Sequence, residues 1–176
     1  AFGYQGGAAA YMKMARQNGV EFETEFAEQI KNDWRAANPL VADYDTGLWA
    51  NLDKAAVAAV RNPGSTHCAN KLKFRVIEDF LYMRLPSGRR LAYYKPKLKV
   101  NKFEKTVVSY MGIDTYTRQY KRCEMYGGKT LQNACEGIGR DLLVNGMFNL
   151  RDAGYPAIGT VPVSYTHLRA HETVSD

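Results

Sequence analysis

Cysteine is scarce in this chain, with three in 176 residues, and Cys68, Cys123 and Cys135 stand far apart. An odd, scattered set builds neither a disulfide framework nor a zinc knuckle, so the three read as reduced cytosolic thiols. No apolar run approaches the ~20 residues that cross a bilayer, and the opening AFGYQGGAAA lacks the charged start and apolar middle of a secretion signal. Neither membrane insertion nor export is expected. What is present is a composition of 45% hydrophobic and 24% charged residues, at a length that suits one domain with a real core.

The net charge of +6 is unevenly spread. Residues 63–129 carry 15 basic against 5 acidic side chains, a local excess of +10, whereas the flanking stretches are mildly acidic. Within that stretch the cations alternate with Phe74, Phe80, Tyr82, Tyr93 and Tyr94. Two readings suit the pattern: cations for phosphates with aromatic faces for bases, or a solvated basic sheet face whose aromatics lie in the core.

Helical signals dominate the first third. Tyr11 to Ala15 read as a short helix closed by Gly19, and Phe22, Phe26, Ile30 and Trp34 recur at i+4 as one apolar stripe ended by Asn38-Pro39. A third helix is expected over 43–60, with Leu48, Trp49, Leu52, Ala56 and Val60 inward and Asn62-Pro63-Gly64 as its stop. The stretches 73–85 and 89–95, split by Pro86-Ser87-Gly88, read as a hairpin, and 102–110 with 115–124 repeat it around Gly112-Ile113-Asp114. A long helix is expected over 129–150, with Leu131, Cys135, Ile138, Leu142, Leu143, Met147 and Leu150 as its core stripe. After the turn at 152–156, residues 157–161 read as a small strand. The expected fold class is α+β, helical at both ends around a small antiparallel β region.

On the long helix Lys129, Asn133, Glu136 and Arg140 are spaced by four, three and four residues, with Gln132 beside them. Such a polar stripe suits either a nucleic-acid duplex or solvent, the latter with a Glu136–Arg140 ion pair.

Three segments, in order, resemble the phage branch of the family A (DNA polymerase I-like) DNA polymerases. They are Phe2-Gly3-Tyr4-Gln5-Gly6-Gly7 with Tyr11, then Leu85-Pro86-Ser87-Gly88-Arg89, then Tyr126-Gly127-Gly128-Lys129 through Asn133 to Arg140-Asp141-Leu142-Leu143 and Ala153-Gly154-Tyr155-Pro156. The resemblance runs from residue 1 to 161 and implies most of a fingers region, a small β region and a long palm helix. It implies a nucleotide contact at Tyr4 and DNA contacts at Arg89, Lys129, Gln132, Asn133 and Glu136. Glu136 departs from the family pattern, which has a glutamine there; a carboxylate is repelled by phosphate where an amide donates. The implied reaction is attack of a primer 3′ hydroxyl on the α-phosphate of a dNTP, assisted by Mg²⁺ held by two aspartates.

Both aspartate motifs of that family are missing from the chain, so no catalytic and no metal residue is expected in it, and it is expected to be an inactive fragment. The expected partners are primed template DNA and dNTP, bound by a monomer in the cytoplasm of an infected bacterium. The alternative is a noncatalytic basic nucleic-acid-binding module, supported by the +10 stretch.

Residues 163–173, VSYTHLRAHET, resemble the translation of a transposase sequencing adapter. This implies that 162–176 is an appended tail, expected to be poorly ordered. His167 and His171 are four apart with Glu172 after them, but a zinc-binding catalytic helix wants the glutamate between the histidines and a third ligand elsewhere, so no zinc site is expected.

Overall fold

The computed structural model describes residues 2–101, 103–114, 117–155, 157–161 and 164–167. The fold is α+β. A short 3-10 turn at Phe2–Tyr4 precedes the helices α1 (Ala8–Gln17), α2 (Thr24–Ala37), α3 (Pro39–Ala42) and α4 (Leu48–Arg61). Six strands follow, β1 (His67–Ala69), β2 (Leu72–Ile77), β3 (Phe80–Arg84), β4 (Arg90–Val100), β5 (Thr106–Ile113) and β6 (Tyr120–Glu124), then α5 (Gly127–Asp152) and the strands β7 (Ala157–Val161) and β8 (Ser164–His167). The chain divides into two compact units, Ala1–Ala134 and Cys135–Asp176.

In the first unit β1 to β6 form an antiparallel meander in chain order. Its alternation is regular on β2, where Leu72, Phe74 and Val76 are buried while Lys73, Arg75 and Ile77 face out. Helix α4 packs on the buried face through Trp49, Leu52, Ala55, Ala56 and Ala59; its alanines let the helix axis approach the sheet. The helices before it are joined by a train of aromatic contacts. Phe22 stacks on Tyr11 at 5.5 Å, Tyr11 meets Phe2 at 4.8 Å, and Trp34 lies between Phe2 at 6.2 Å and Trp49 at 6.1 Å.

Several expected boundaries shift, each for a local reason. Helix α2 starts at Thr24, so Phe22 precedes it, and Phe26 is half exposed while Ala27 is the residue fully buried. The expected helix over 43–60 begins only at Leu48. Asp43 holds the chain in a turn, its Oδ1 accepting from the Asp45 N–H at 3.0 Å, the Thr46 N–H at 2.7 Å and the Thr46 hydroxyl at 2.7 Å. The stretch 73–85 is two strands rather than one, because Glu78 takes φ +52 and turns the chain between β2 and β3. Gly112 and Ile113 belong to β5, and the turn begins at Asp114, whose Oδ1 accepts from the Thr117 N–H at 2.8 Å and the Thr117 hydroxyl at 3.0 Å.

The register of β4 with β5 shifts between Tyr94 and Lys97, where Lys95 takes φ +47 and Pro96 has no N–H to leave unpaired. Arg122 fills this bulge, its Nη1 donating to the Lys95 carbonyl at 3.1 Å and to the Ser109 carbonyl and hydroxyl, each at 3.3 Å.

In the second unit the backbone of β8 pairs antiparallel with β7. Residues 162, 163 and 168–176 of the adapter-like tail, His171 among them, lie outside the described residues. Among the described residues no helix is long and apolar enough to cross a membrane.

Candidate functional site

The N-terminus of α5 is built from segments far apart in sequence. A Cβ at Gly127 would lie 2.3 Å from the Trp49 carbonyl oxygen, and one at Gly128 would lie 2.4 Å from the Tyr4 carbonyl oxygen and 2.5 Å from Gln5 Cβ. Only glycine permits such contact, so the glycine pair lets α4 and the 3-10 turn press against the first turn of α5. The first N–H groups of a helix lack intrahelical partners. Here the Gly128 N–H donates to Gln5 Oε1 at 2.9 Å, and the Gly127 N–H donates to the Asp53 carboxylate from α4. Gln5 reaches this position from a backbone φ of +65.

Burial pushes the Asp53 carboxyl up to about 6, against the pull of the Gly127 N–H and of Lys105 toward the charged form. Asp53 also lines a cavity of about 520 Å³ with Trp49, Arg35, Arg61, Lys105 and Tyr44. The Lys105 ammonium lies 3.7 Å from the centre of the Tyr44 ring.

Of the expected stripe on α5, Leu131, Ile138, Leu143, Met147 and Leu150 are half-buried, and within the first unit the start of the helix docks through small residues. Thr130 and Ala134 are buried with the two glycines, whereas Cys135 is exposed and Leu142 is 68% exposed. The helix docks through close backbone approach, and leucine at those positions would hold it away.

Rotation of the helix brings Lys129 and Asn133 onto the inner tyrosines of the sheet. Asn133 Nδ2 donates to the Tyr93 hydroxyl at 3.1 Å, and Tyr93 meets Tyr110 edge-on at 5.0 Å. Burial raises the Tyr93 phenol to about 12, which the Asn133 hydrogen bond partly offsets and neighbouring Tyr110 reinforces. The Lys129 ammonium sits 5.5 Å from the centre of the Tyr110 ring. Burial pulls its pKa down, but the Tyr110 hydroxyl and the nearby Cys123 and Tyr126 more than offset this and hold it above the ordinary lysine value. The group is therefore a firmly charged cation beside a phenol.

Within the first unit the Tyr4 backbone abuts Gly128, while Lys129 and Asn133 meet Tyr110 and Tyr93; Tyr4 is 47% exposed, and Gln132 is half-buried next to Asn133 on α5. Glu136 is exposed and lies beyond the boundary of that unit, as does Arg140. Arg89 is elsewhere, exposed in the β3–β4 turn, where the Leu85 N–H donates to its carbonyl at 2.8 Å. Sequence reasoning missed Gln5 and Asp53. Asp53 had a readable signal, an acid one turn after Trp49 and next to Leu52 on the inward stripe of α4. Gln5 had none, because its role depends on a contact 123 positions away.

Among the described residues no group of three or more His, Cys, Asp or Glu side chains is arranged to hold a metal ion. No protein-family model matches the chain, and no solved structure matches it. The chain is similar to the DNA polymerase of Bacillus phage SP02, with 35% identity over 159 residues. That alignment covers 90% of this chain and 24% of the phage protein, so the chain spans about a quarter of the curated relative it matches.

Proposed function

We propose that the chain is part of a template-directed DNA polymerase of the DNA polymerase I-like family, phage type, and that its role is to hold primed template and nucleotide. The observation that carries this reading is the junction at Gly128, where the two motif segments most distant in sequence meet, the Tyr4 carbonyl and the Gln5 side chain lying against the first turn of α5 just before Lys129. Similarity to a phage DNA polymerase along almost the whole chain supports it.

In this reading the half-exposed Tyr4 ring packs near the nascent base pair. Lys129, charged at neutral pH, neutralises a phosphate, while Gln132 and Asn133 present amides to the minor groove. One N–H of Asn133 Nδ2 is engaged by Tyr93, which leaves its second N–H and its Oδ1 for other partners. Arg89 contacts backbone phosphate from the β3–β4 turn, and the Glu136 carboxylate weakens the contact that an amide would make. Nucleotidyl transfer with Mg²⁺ belongs to the parent enzyme, and no step of it is assigned to these residues. The proposed setting is a monomer in the cytoplasm of an infected bacterium.

Fluorescence anisotropy with a labelled primer–template duplex tests the reading. Binding should be weak and should fall steeply with salt. Lys129→Ala should lower the affinity and reduce the salt slope by about 0.9, the value for one phosphate contact, and Glu136→Gln should raise the affinity. With Mg²⁺ and dNTPs, extension should not exceed a no-protein control. Salt-independent binding, or extension above that control, would refute the assignment.

A further inference from the structure

The basic, aromatic stretch of the sequence sorts its rings between two faces of the sheet. Phe74 and Tyr93 are buried, but Phe80, Tyr82 and Tyr94 stand on the opposite face with the cations. Register fixes three rows across β2, β3 and β4, each about 7 Å from the next along the strands. Lys73, Arg84 and Arg90 make the first row, all exposed. Arg75 and Tyr82 are paired in the second. Phe80 is paired with Ile77 and Tyr94 in the third.

The rings form a continuous platform. Phe80 lies 5.8 Å from Tyr82 and 5.0 Å from Tyr94, centre to centre, and the Arg90 guanidinium sits 5.7 Å from the centre of the Tyr82 ring. The first row is electrostatically unfavourable in the chain alone. Like charges directly opposite one another on neighbouring strands repel, and among the described residues none of these three cations has a carboxylate partner. A chain of phosphates laid along the row removes that repulsion. Beyond the third row the β2–β3 turn carries Glu78 and Asp79, which turn a polyanion away from that end.

We propose that the outer face of β2, β3 and β4 binds a single-stranded nucleic acid, with phosphates along Lys73, Arg84 and Arg90 and bases stacked on Tyr82, Phe80 and Tyr94. Cations alone would suit any polyanion. The rings select a partner with free base faces, which neither a duplex nor an acidic protein offers. This inference uses no residue of α5 and stands apart from the polymerase reading.

The test uses the full chain and a labelled oligothymidylate of roughly 12 nucleotides. Exchanging Tyr82 and Tyr94 together for Thr, which keeps strand propensity, should weaken binding tenfold or more, at about tenfold per 1.4 kcal/mol of lost stacking. Arg84→Gln should reduce the salt slope by about 0.7, the single-strand value per phosphate. Lys129→Ala should leave this binding unchanged, even if it abolishes binding to primed duplex. Photocrosslinking of an iodouracil-substituted oligonucleotide to the unsubstituted chain should label the tryptic peptide 76–84, which holds Phe80 and Tyr82. The proposal is overturned if the double variant, with an unaltered thermal midpoint, binds as tightly as the parent. It is equally overturned if inorganic polyphosphate competes as well per phosphate as unlabelled oligothymidylate, or if the crosslinks avoid 76–84.

Discussion

Two helices of this chain, α1 and α5, have glycines at their starts, Gly7 just before the first and Gly127-Gly128 opening the second, and their surroundings differ sharply. At α5 the glycines touch backbone on both sides, and their N–H groups are held by Asp53 and Gln5. At α1 a Cβ on Gly7, or on Gly3 before it, would meet nothing within 4 Å, and no side chain caps the helix. Glycine at the first place is required by packing inside the chain. At the second no such packing requires it, and open space lies at Gly3 and Gly7, on either side of Tyr4 in the sequence.

The sharpest way to break this contrast is Gly128→Ala, which forces a methyl group into the Tyr4 carbonyl and should cost about 3 kcal/mol, lowering the thermal midpoint by roughly 10 °C. A midpoint within a degree or two of the parent would mean that the junction is not tightly packed. Asp53→Asn comes next. Burial holds the folded carboxyl at about 6 against 3.8 when unfolded, so the folded state keeps a proton that the unfolded state has lost between those values. Stability from this group is full below pH 3.8 and is lost as pH rises through 6. Asparagine keeps an acceptor for Gly127 without the charge, so it should stabilise the protein by on the order of 2 kcal/mol at pH 7 and flatten the decline between pH 4 and 6. Parallel stability–pH curves for the two proteins would count against it.

A smaller effect is expected where α5 meets the sheet. Asn133→Ala strands the buried Tyr93 hydroxyl and should cost roughly 1–2 kcal/mol, most of it recovered in the double variant with Tyr93→Phe. Additive losses in denaturant melts would deny the pairing. Smallest of all should be Gly7→Ser, in open space at a helix N-cap, which should change stability by only a few tenths of a kcal/mol. A loss as large as that for Gly128→Ala would erase the difference between the two helix starts.

Much of this architecture is legible from local signals. Pro86-Ser87-Gly88 marks its hairpin, Asn62-Pro63-Gly64 ends α4, and the length of α5 follows from an unbroken helical pattern. What escapes is set by neighbours remote in sequence or by side chains that capture backbone. The Asp43 turn competes with helix in a stretch whose periodicity is helical, and the β2–β3 turn at Glu78-Asp79 lacks glycine or proline. Leucines on α5 outweigh its glycines and alanine in any hydrophobic count, yet at the start of the helix it is Gly127, Gly128, Thr130 and Ala134 that are buried in the first unit. The aromatics of the basic stretch could not be divided between faces until the break in 73–85 fixed the register of β3.

The meander has a kinetic consequence. Each of its strands pairs with its neighbour in the chain, whereas the Gln5–Gly128 hydrogen bond closes a span of 123 positions. Short-range pairings form before long closures, whose entropy cost must be met first. The sheet therefore assembles early and the junction late, so Gly128→Ala should raise the unfolding arm of a chevron while leaving the folding arm nearly in place. Native-state hydrogen exchange should accordingly find the Gly128 amide opening at lower free energy than those of β3. The segment bearing Tyr4 is the last to be fastened and the first to let go, over a sheet that is already complete.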